Sequence, residues 1–200
     1  MHVKISQGNK KMGQIPSVSL PAGITCRQDC ECIQKCYARK IERLRPNVYK
    51  AYISNYNLLN KDPETYWREV EASVMMSRFF RFHVSGDIPN LLYLLHMVDI
   101  AIHNQHCEIL CFTKRYDLVN AYLARNPELP GNLHIIFSAW KNLEMYNPHN
   151  LPEAHVIYKD GTTTAGKHAK LCLGNCTSCA STSDGCWTLK HGEQIVFKEH

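Results

Sequence analysis

No apolar run in the 200-residue chain approaches the roughly twenty residues that a membrane helix needs, so the sequence predicts no membrane partner. The opening MHVKISQGNKKMGQ carries basic residues without an apolar stretch behind them. It does not read as a secretory signal, and the expectation is a cytoplasmic chain. Low-complexity tracts and repeats at solenoid periods are missing, which disfavours linkers, tails and repeat arrays. There is no glycine-rich phosphate loop and no serine-hydrolase elbow, so nucleotide hydrolysis and acyl transfer rank low. The formal net charge of +5 is modest and does not by itself argue for nucleic acid. A hydrophobic fraction of 44% over this length is enough for one substantial core.

What the chain has in quantity is cysteine, ten residues against ten glycines. Eight of the ten fall in two tight clusters, at 26–36 and 172–186. In a reducing compartment clustered thiols are metal ligands or redox centres rather than disulfides.

The pattern between the clusters is that of β/α units. An extended run at 15–25, broken by Pro16 and Pro21, leads into Cys26. A helical pattern from Ala38 to about Asn60 places Ile41, Leu44, Val48, Tyr52 and Leu59 near one face, with Pro46 set to kink or divide it. Asp62 and Pro63 form an N-cap and first-turn pair for a helix whose stripe is Trp67, Val70 and Val74. Short apolar strands then alternate with helices: 78–84, a helix from Pro89 with Leu91, Leu94, Leu95, Val98 and Ile102, 108–112, a helix over 116–125, 133–137, 155–158 and 194–198. That makes six candidate strands in a parallel arrangement. Sites in such folds assemble at the carboxyl ends of the strands. The architecture therefore brings Cys26, Ser85-Gly86-Asp87, Thr113-Lys114, Ser138 and Asp160 toward one rim.

In the first cluster, TCRQDCECIQKCYARK, Cys30 and Cys32 are too close to chelate one zinc in the usual spacing. Cys26, Cys32 and Cys36 make the easier three-point set, with Cys30 spare. Three thiolates suit a [4Fe–4S] cluster with one open iron, and Arg27, Lys35, Arg39 and Lys40 would offset its charge. The second cluster, LCLGNCTSCASTSDGCW, places Cys172, Cys176, Cys179 and Cys186 at C-x3-C-x2-C-x6-C. Four thiolates at that spacing describe a closed site, with zinc and [4Fe–4S] both admissible. Cys107 and Cys111 flank or lie in a strand and read as small core residues. Between Lys35 and Lys50, six basic residues face the single acid Glu42, largely on a predicted helix. Arg39, Lys40 and Arg43 could there track the phosphates of a nucleic acid. His83, His134 and His155 sit in or beside strands, where packing is the commoner role.

The succession PSVSLPAGITC, CYARKIERLRP, YWREVEA, MMSRFFRFHVSGDIP, CFTKRY, NLHIIFSAWKNLEMYNP, LPEAHVIYKDGTTTA, GNC and GCW resembles the phage and prophage gene product 88 family over almost the whole chain. It is also similar to a second phage family, with a cysteine triad ending in CYA, that is compared with radical S-adenosylmethionine enzymes. That resemblance implies a bacterial host cytoplasm and a partial (β/α)6 barrel of the radical S-adenosylmethionine type over 1–165. A cysteine-rich metal-binding segment over 166–200 would pack on it as part of one unit. It further implies an open cluster on Cys26, Cys32 and Cys36, with C-x5-C-x3-C in place of the enzymes' C-x3-C-x2-C. Cofactor contacts would come from Ser85, Gly86, Asp87, Thr113, Lys114 and Ser138, with Asp87 receiving the amino group of S-adenosylmethionine. The substrate would be large or presented by a protein partner, nucleic acid included. A zinc- or cluster-stabilised nucleic-acid-binding protein without catalysis is the other reading.

Overall fold

The computed structural model describes residues 2–182 and 185–199. In chain order the elements are β1 (Ser17–Val18), a 3-10 turn (Glu31–Ile33), α1 (Tyr37–Leu44), α2 (Pro46–Lys61), α3 (Pro63–Met75), β2 (Phe79–Phe82) and α4 (Leu91–His103). They continue with β3 (Glu108–Thr113), α5 (Tyr116–Leu123), β4 (Leu133–Ser138), β5 (Glu153–Ile157), β6 (Lys170–Leu171), α6 (Cys176–Ala180) and β7 (Gln194–Lys198). The strands form one sheet in the order β1-β2-β3-β4-β5-β7-β6, and every pairing is parallel. The fold is α/β, and an open parallel sheet of this kind is compatible with a partial barrel.

The period-2 alternation of the strands divides two cores. On one face Val18, Phe80, Phe82, Ile109, Cys111, Ile135 and Phe137 meet Tyr66, Trp67, Val70 and Val74 of α3 and Leu94, Met97 and Val98 of α4. Burial of each large side chain there contributes about 1.5–3 kcal/mol. On the other face Leu110, Ile136, Ala154 and Ile195 are covered by Met12 and Ile15 from the N-terminus and by Cys179, Cys186, Trp187 and Leu189 from the second cysteine segment. That segment, with its short helix α6, thus covers the side of the sheet opposite α3 and α4, the side that would be the interior of a barrel.

Local chemistry sets the boundaries. Asp62 accepts from Thr65 N (3.1 Å) ahead of Pro63, and Asn90 accepts from Tyr93 N (2.9 Å), so α3 and α4 begin on side-chain caps. Pro46 divides the expected helix into α1 and α2. The described residues hold seven strands where the pattern suggests six, because the two-residue β6 gives no periodic signal. The expected run at 15–25 shortens to Ser17–Val18. The expected face of α1 is also corrected: Ile41 and Leu44 are 39% and 63% exposed, and Ala38 and Glu42 are the buried pair. In α4 Leu95 and Ile102 are exposed while Tyr93, Met97, Ile100 and Ala101 are buried.

Candidate metal centre at the strand rim

Because all strands run the same way, their carboxyl ends share one edge, and two buried carboxylates brace the chain there. Glu42 of α1 accepts from Ser85 Oγ (2.5 Å) and from Ala22 N (2.9 Å). Asp87 accepts from Thr113 Oγ1 (2.6 Å) and Ile88 N (2.8 Å) on one oxygen and from Lys114 N (2.9 Å) on the other. Its own amide donates to Thr25 Oγ1 (3.1 Å). Burial raises the Asp87 carboxyl above its usual range, and these donors oppose the rise. Gly86 joins the two carboxylate contacts with φ +78°, and a Cβ there would stand 2.7 Å from both Leu20 O and Thr25 Oγ1. Gly86→Ala is expected to cost at least about 2 kcal/mol of stability. An unchanged urea midpoint would contradict this account of the bracing.

The segment so braced delivers Cys26 to the rim and lays the loop 26–36 across it. Arg27 Nη1 reaches Lys114 O (3.4 Å), and the guanidinium lies 5.7 Å from the Tyr116 ring centroid. Glu31 accepts from Asn142 Nδ2 (3.1 Å). Lys114 Nζ donates to Ser138 Oγ (2.9 Å) and stands 5.9 Å from the Trp140 ring centroid, and Tyr116 donates to Ser138 O (2.6 Å). The structure therefore brings Cys26, Ser85-Gly86-Asp87, Thr113-Lys114 and Ser138 together. It leaves out Asp160, which is exposed and accepts from Thr162 in its own turn.

Cys26, Cys32 and Cys36 are half-buried, while the spare Cys30 is buried. Gly23 N points at Cys26 Sγ (3.4 Å). Burial pushes the Cys26 thiol up to about 11, against that amide; Asp87 and Cys36 raise it and Lys114 lowers it. The Cys32 thiol donates to Cys30, which holds Cys30 below the usual thiol range and Cys32 above it, and Lys114 favours ionisation of both. The Gly23 amide and the Lys114 ammonium favour ionised sulfur here, while burial of Cys26 and the hydrogen bond from Cys32 to Cys30 hold both of those thiols protonated.

In the second segment Cys179 and Cys186 are buried and Cys172 and Cys176 half-buried. Cys186 N donates to Cys179 Sγ (3.2 Å), Gly174 N to Cys172 Sγ (3.4 Å) and Arg81 Nη1 to Cys176 Sγ (3.9 Å). A Cβ on Gly185 would fall 2.1 Å from Cys179 Sγ, so the turn between the last two cysteines closes only with glycine. The N-terminal turn closed between Asn9 and Gly13 fastens α6, which carries the middle pair, with Cys176 N donating to Lys11 O (3.0 Å) and Thr177 Oγ1 to Met12 O (3.2 Å). Among the described residues, no group of three His, Cys, Asp or Glu side chains is gathered in metal-holding geometry.

Two residues that the spacing arguments passed over link the cysteine groups. Tyr37, next to Cys36, donates to Val84 O (2.9 Å). Its hydroxyl titrates high because of burial, with Arg81 opposing and Cys36, Cys176 and Cys26 reinforcing the shift, although the residue as a whole is 47% exposed. Arg81 extends from β2 over the Phe112 ring (4.9 Å) to Cys176. The C-Y pair at 36–37 was the available signal for the first. For the second there was only an arginine inside an apolar strand. Cys107 and Cys111 are fully buried core residues, as their positions suggest. His134 pairs with Glu108 (2.6 Å) and His155 with Glu153 (3.0 Å) and Thr164 (2.8 Å). Arg39, Lys40 and Arg43 are exposed on α1.

Fold and site together define a cysteine-rich α/β protein with a parallel seven-stranded sheet among the described residues, one thiol group on its carboxyl rim and another on the face opposite α3 and α4. The chain belongs to the gene product 88 family, which matches it over residues 3–191. No curated protein and no solved structure matches it. Among the described residues no helix is long and apolar enough to cross a membrane.

Proposed function

We propose that this chain is an iron–sulfur protein of the radical-enzyme type, with an open [4Fe–4S] cluster on Cys26, Cys32 and Cys36 and a closed thiolate site on Cys172, Cys176, Cys179 and Cys186. What supports the reading is that Cys26 and Cys32 lie half-buried near the Lys114 ammonium, with half-buried Cys36 near enough to act on both sulfurs. A three-thiolate [4Fe–4S] cluster leaves one iron free to bind a ligand and supplies it with one electron. The chain's part is positional. Asp87 and Glu42 hold the approach to Cys26, the Gly23 amide faces its sulfur, and Arg27 fixes the loop against Lys114 O.

The residues expected to contact S-adenosylmethionine divide. Asp87 has three donors of its own chain on its two oxygens and Ser85 is spent on Glu42, so neither is placed to receive the cofactor's amine. Gly86 and Thr113 complete the same brace. Lys114 and Ser138 remain as rim groups for a carboxylate or phosphate. Asp87 is a positioning residue in this account, and no step is assigned to S-adenosylmethionine.

The C-terminal site would take zinc or a second cluster, and the burial of Cys179 and Cys186 with Trp187 and Leu189 supports a structural role for it. Anaerobic purification with iron, sulfide and zinc analysis tests the proposal. Iron with matching acid-labile sulfide is the expected result, and zinc alone would overturn it.

A further inference from the structure

The α1 helix is poorly covered. Of its eight residues only Ala38 and Glu42 are buried. Tyr37, Ile41 and Leu44 are 47%, 39% and 63% exposed, and Tyr49 at the start of α2 is 42% exposed. Basic side chains lie among these apolar ones: Lys35, Arg39, Lys40, Arg43, Arg45 and Lys50 are all exposed. The only acid in the stretch, Glu42, is turned inward onto Ser85 and Ala22. Among the described residues none of the six cations is in an ion pair. The positive charge of this face is therefore uncompensated, although the +5 net charge of the whole chain is modest.

Beside this face is a cleft of about 480 Å3 between the cysteine loop and α1–α2. Its walls combine the flat or apolar Tyr49, Ile24 and Ile33 with the guanidinium groups of Arg39 and Arg43 and the backbone at Gly23. Gln28 donates to both Gly23 O (2.8 Å) and Cys26 O (2.9 Å), so the cleft wall and the Cys26 loop are one piece of structure.

We infer that this face binds a single-stranded nucleic acid, with phosphates along Arg39, Lys40 and Arg43 and one base in the cleft against Tyr49. Uncompensated cations give the affinity for a polyanion, and exposed rings among them offer stacking to bases that only an unpaired strand presents. A duplex satisfies the cations and leaves the cleft and rings unused. The surface stands whatever the cysteines hold; that the bound strand is also the substrate rests on the rim reading.

Fluorescence anisotropy on the purified protein tests the inference, with a labelled 15-nucleotide DNA, an RNA of the same sequence and the matching duplex as probes. Single strands should bind more tightly than duplex, and the DNA and RNA arms show whether the sugar matters. The R39A/K40A/R43A variant should lower the slope of log affinity against log salt by about 2, and R39K/K40R/R43K should restore it. Tyr49→Ala should weaken the single strands about tenfold and leave the duplex unchanged. Circular dichroism and melting confirm that each variant folds. Tighter binding of duplex, or an unchanged salt slope in the alanine variant, overturns the inference. Binding lost while iron is retained sinks this surface alone, and iron absent with binding retained sinks the rim reading alone.

Discussion

Lowering the pH from 6.5 to 4.5 is expected to remove about 2 kcal/mol of stability through one residue, His83. Its ring is 4% exposed and packed 5.3 Å from the Tyr93 ring centroid and 6.0 Å from that of Phe82; neither ring nitrogen makes a well-formed hydrogen bond, and the nearby Ser85 backbone opposes the effect of burial without cancelling it. Burial lowers its pKa from 6.5 to about 3, so the folded protein holds the ring neutral. A depressed folded value contributes stability that is present above pH 6.5. That stability is lost as the pH falls, because the unfolded chain takes the proton first. The loss approaches about 1.4 kcal/mol per pH unit and corresponds here to a fall in Tm of about 6 °C for a chain of this size. His83 also has φ +61°, a conformation that asparagine tolerates. His83→Asn should therefore fold and show a Tm nearly flat between pH 6.5 and 4.5. Equal pH slopes in the two proteins would assign the effect elsewhere. The paired carboxylates Asp62, Glu69 and Glu193, whose pKa values are lowered, destabilise both proteins only at more acidic pH.

Trp187→Ala is expected to cost about 3–5 kcal/mol, the range for deleting a buried aromatic. The indole is 4% exposed and meets Phe79 edge to face at 5.0 Å, on the face of the sheet opposite α3 and α4. Removing it opens the core formed by Leu110, Ile136, Ala154 and Ile195 with the second cysteine segment. If both cysteine sites are loaded as proposed, the C-terminal site should lose its metal while the rim site keeps its own. The midpoint of urea unfolding, read together with metal content per chain, checks both parts. A variant of native stability, or one that loses the rim iron first, would contradict the assigned role of this segment.

Five of the strands and the α3 stripe were legible because apolar period and length agree locally. Gln194–Lys198 is found where the pattern puts it, and Trp67, Val70 and Val74 are buried together. The rim was legible for a topological reason, since parallel strands must share a carboxyl edge. What the pattern could not show is how the polar rim residues are spent. Ser85, Asp87 and Thr113 have the composition of a binding motif, yet their partners are Glu42, Thr25 and Lys114 N, set by loops far apart in sequence. Ile41 and Leu44 fit an apolar stripe by spacing. They are exposed because α1 rests on the fold through Ala38 and Glu42, and an acid recruited by a buried serine leaves no trace in hydropathy. The position of the second cysteine segment was equally hidden, because Trp187 meets Phe79 and Cys176 meets Arg81 only through tertiary packing.

The central claim is that the rim thiols hold an open iron–sulfur cluster. Iron and acid-labile sulfide per chain, measured with the EPR of the reduced protein for the unaltered chain and for C26A/C32A/C36A, test it most directly. The unaltered chain should carry about four rim irons with matching sulfide, and the triad variant should lose them and their signal while remaining folded. Iron, sulfide and signal undiminished by the loss of all three cysteines would contradict the account.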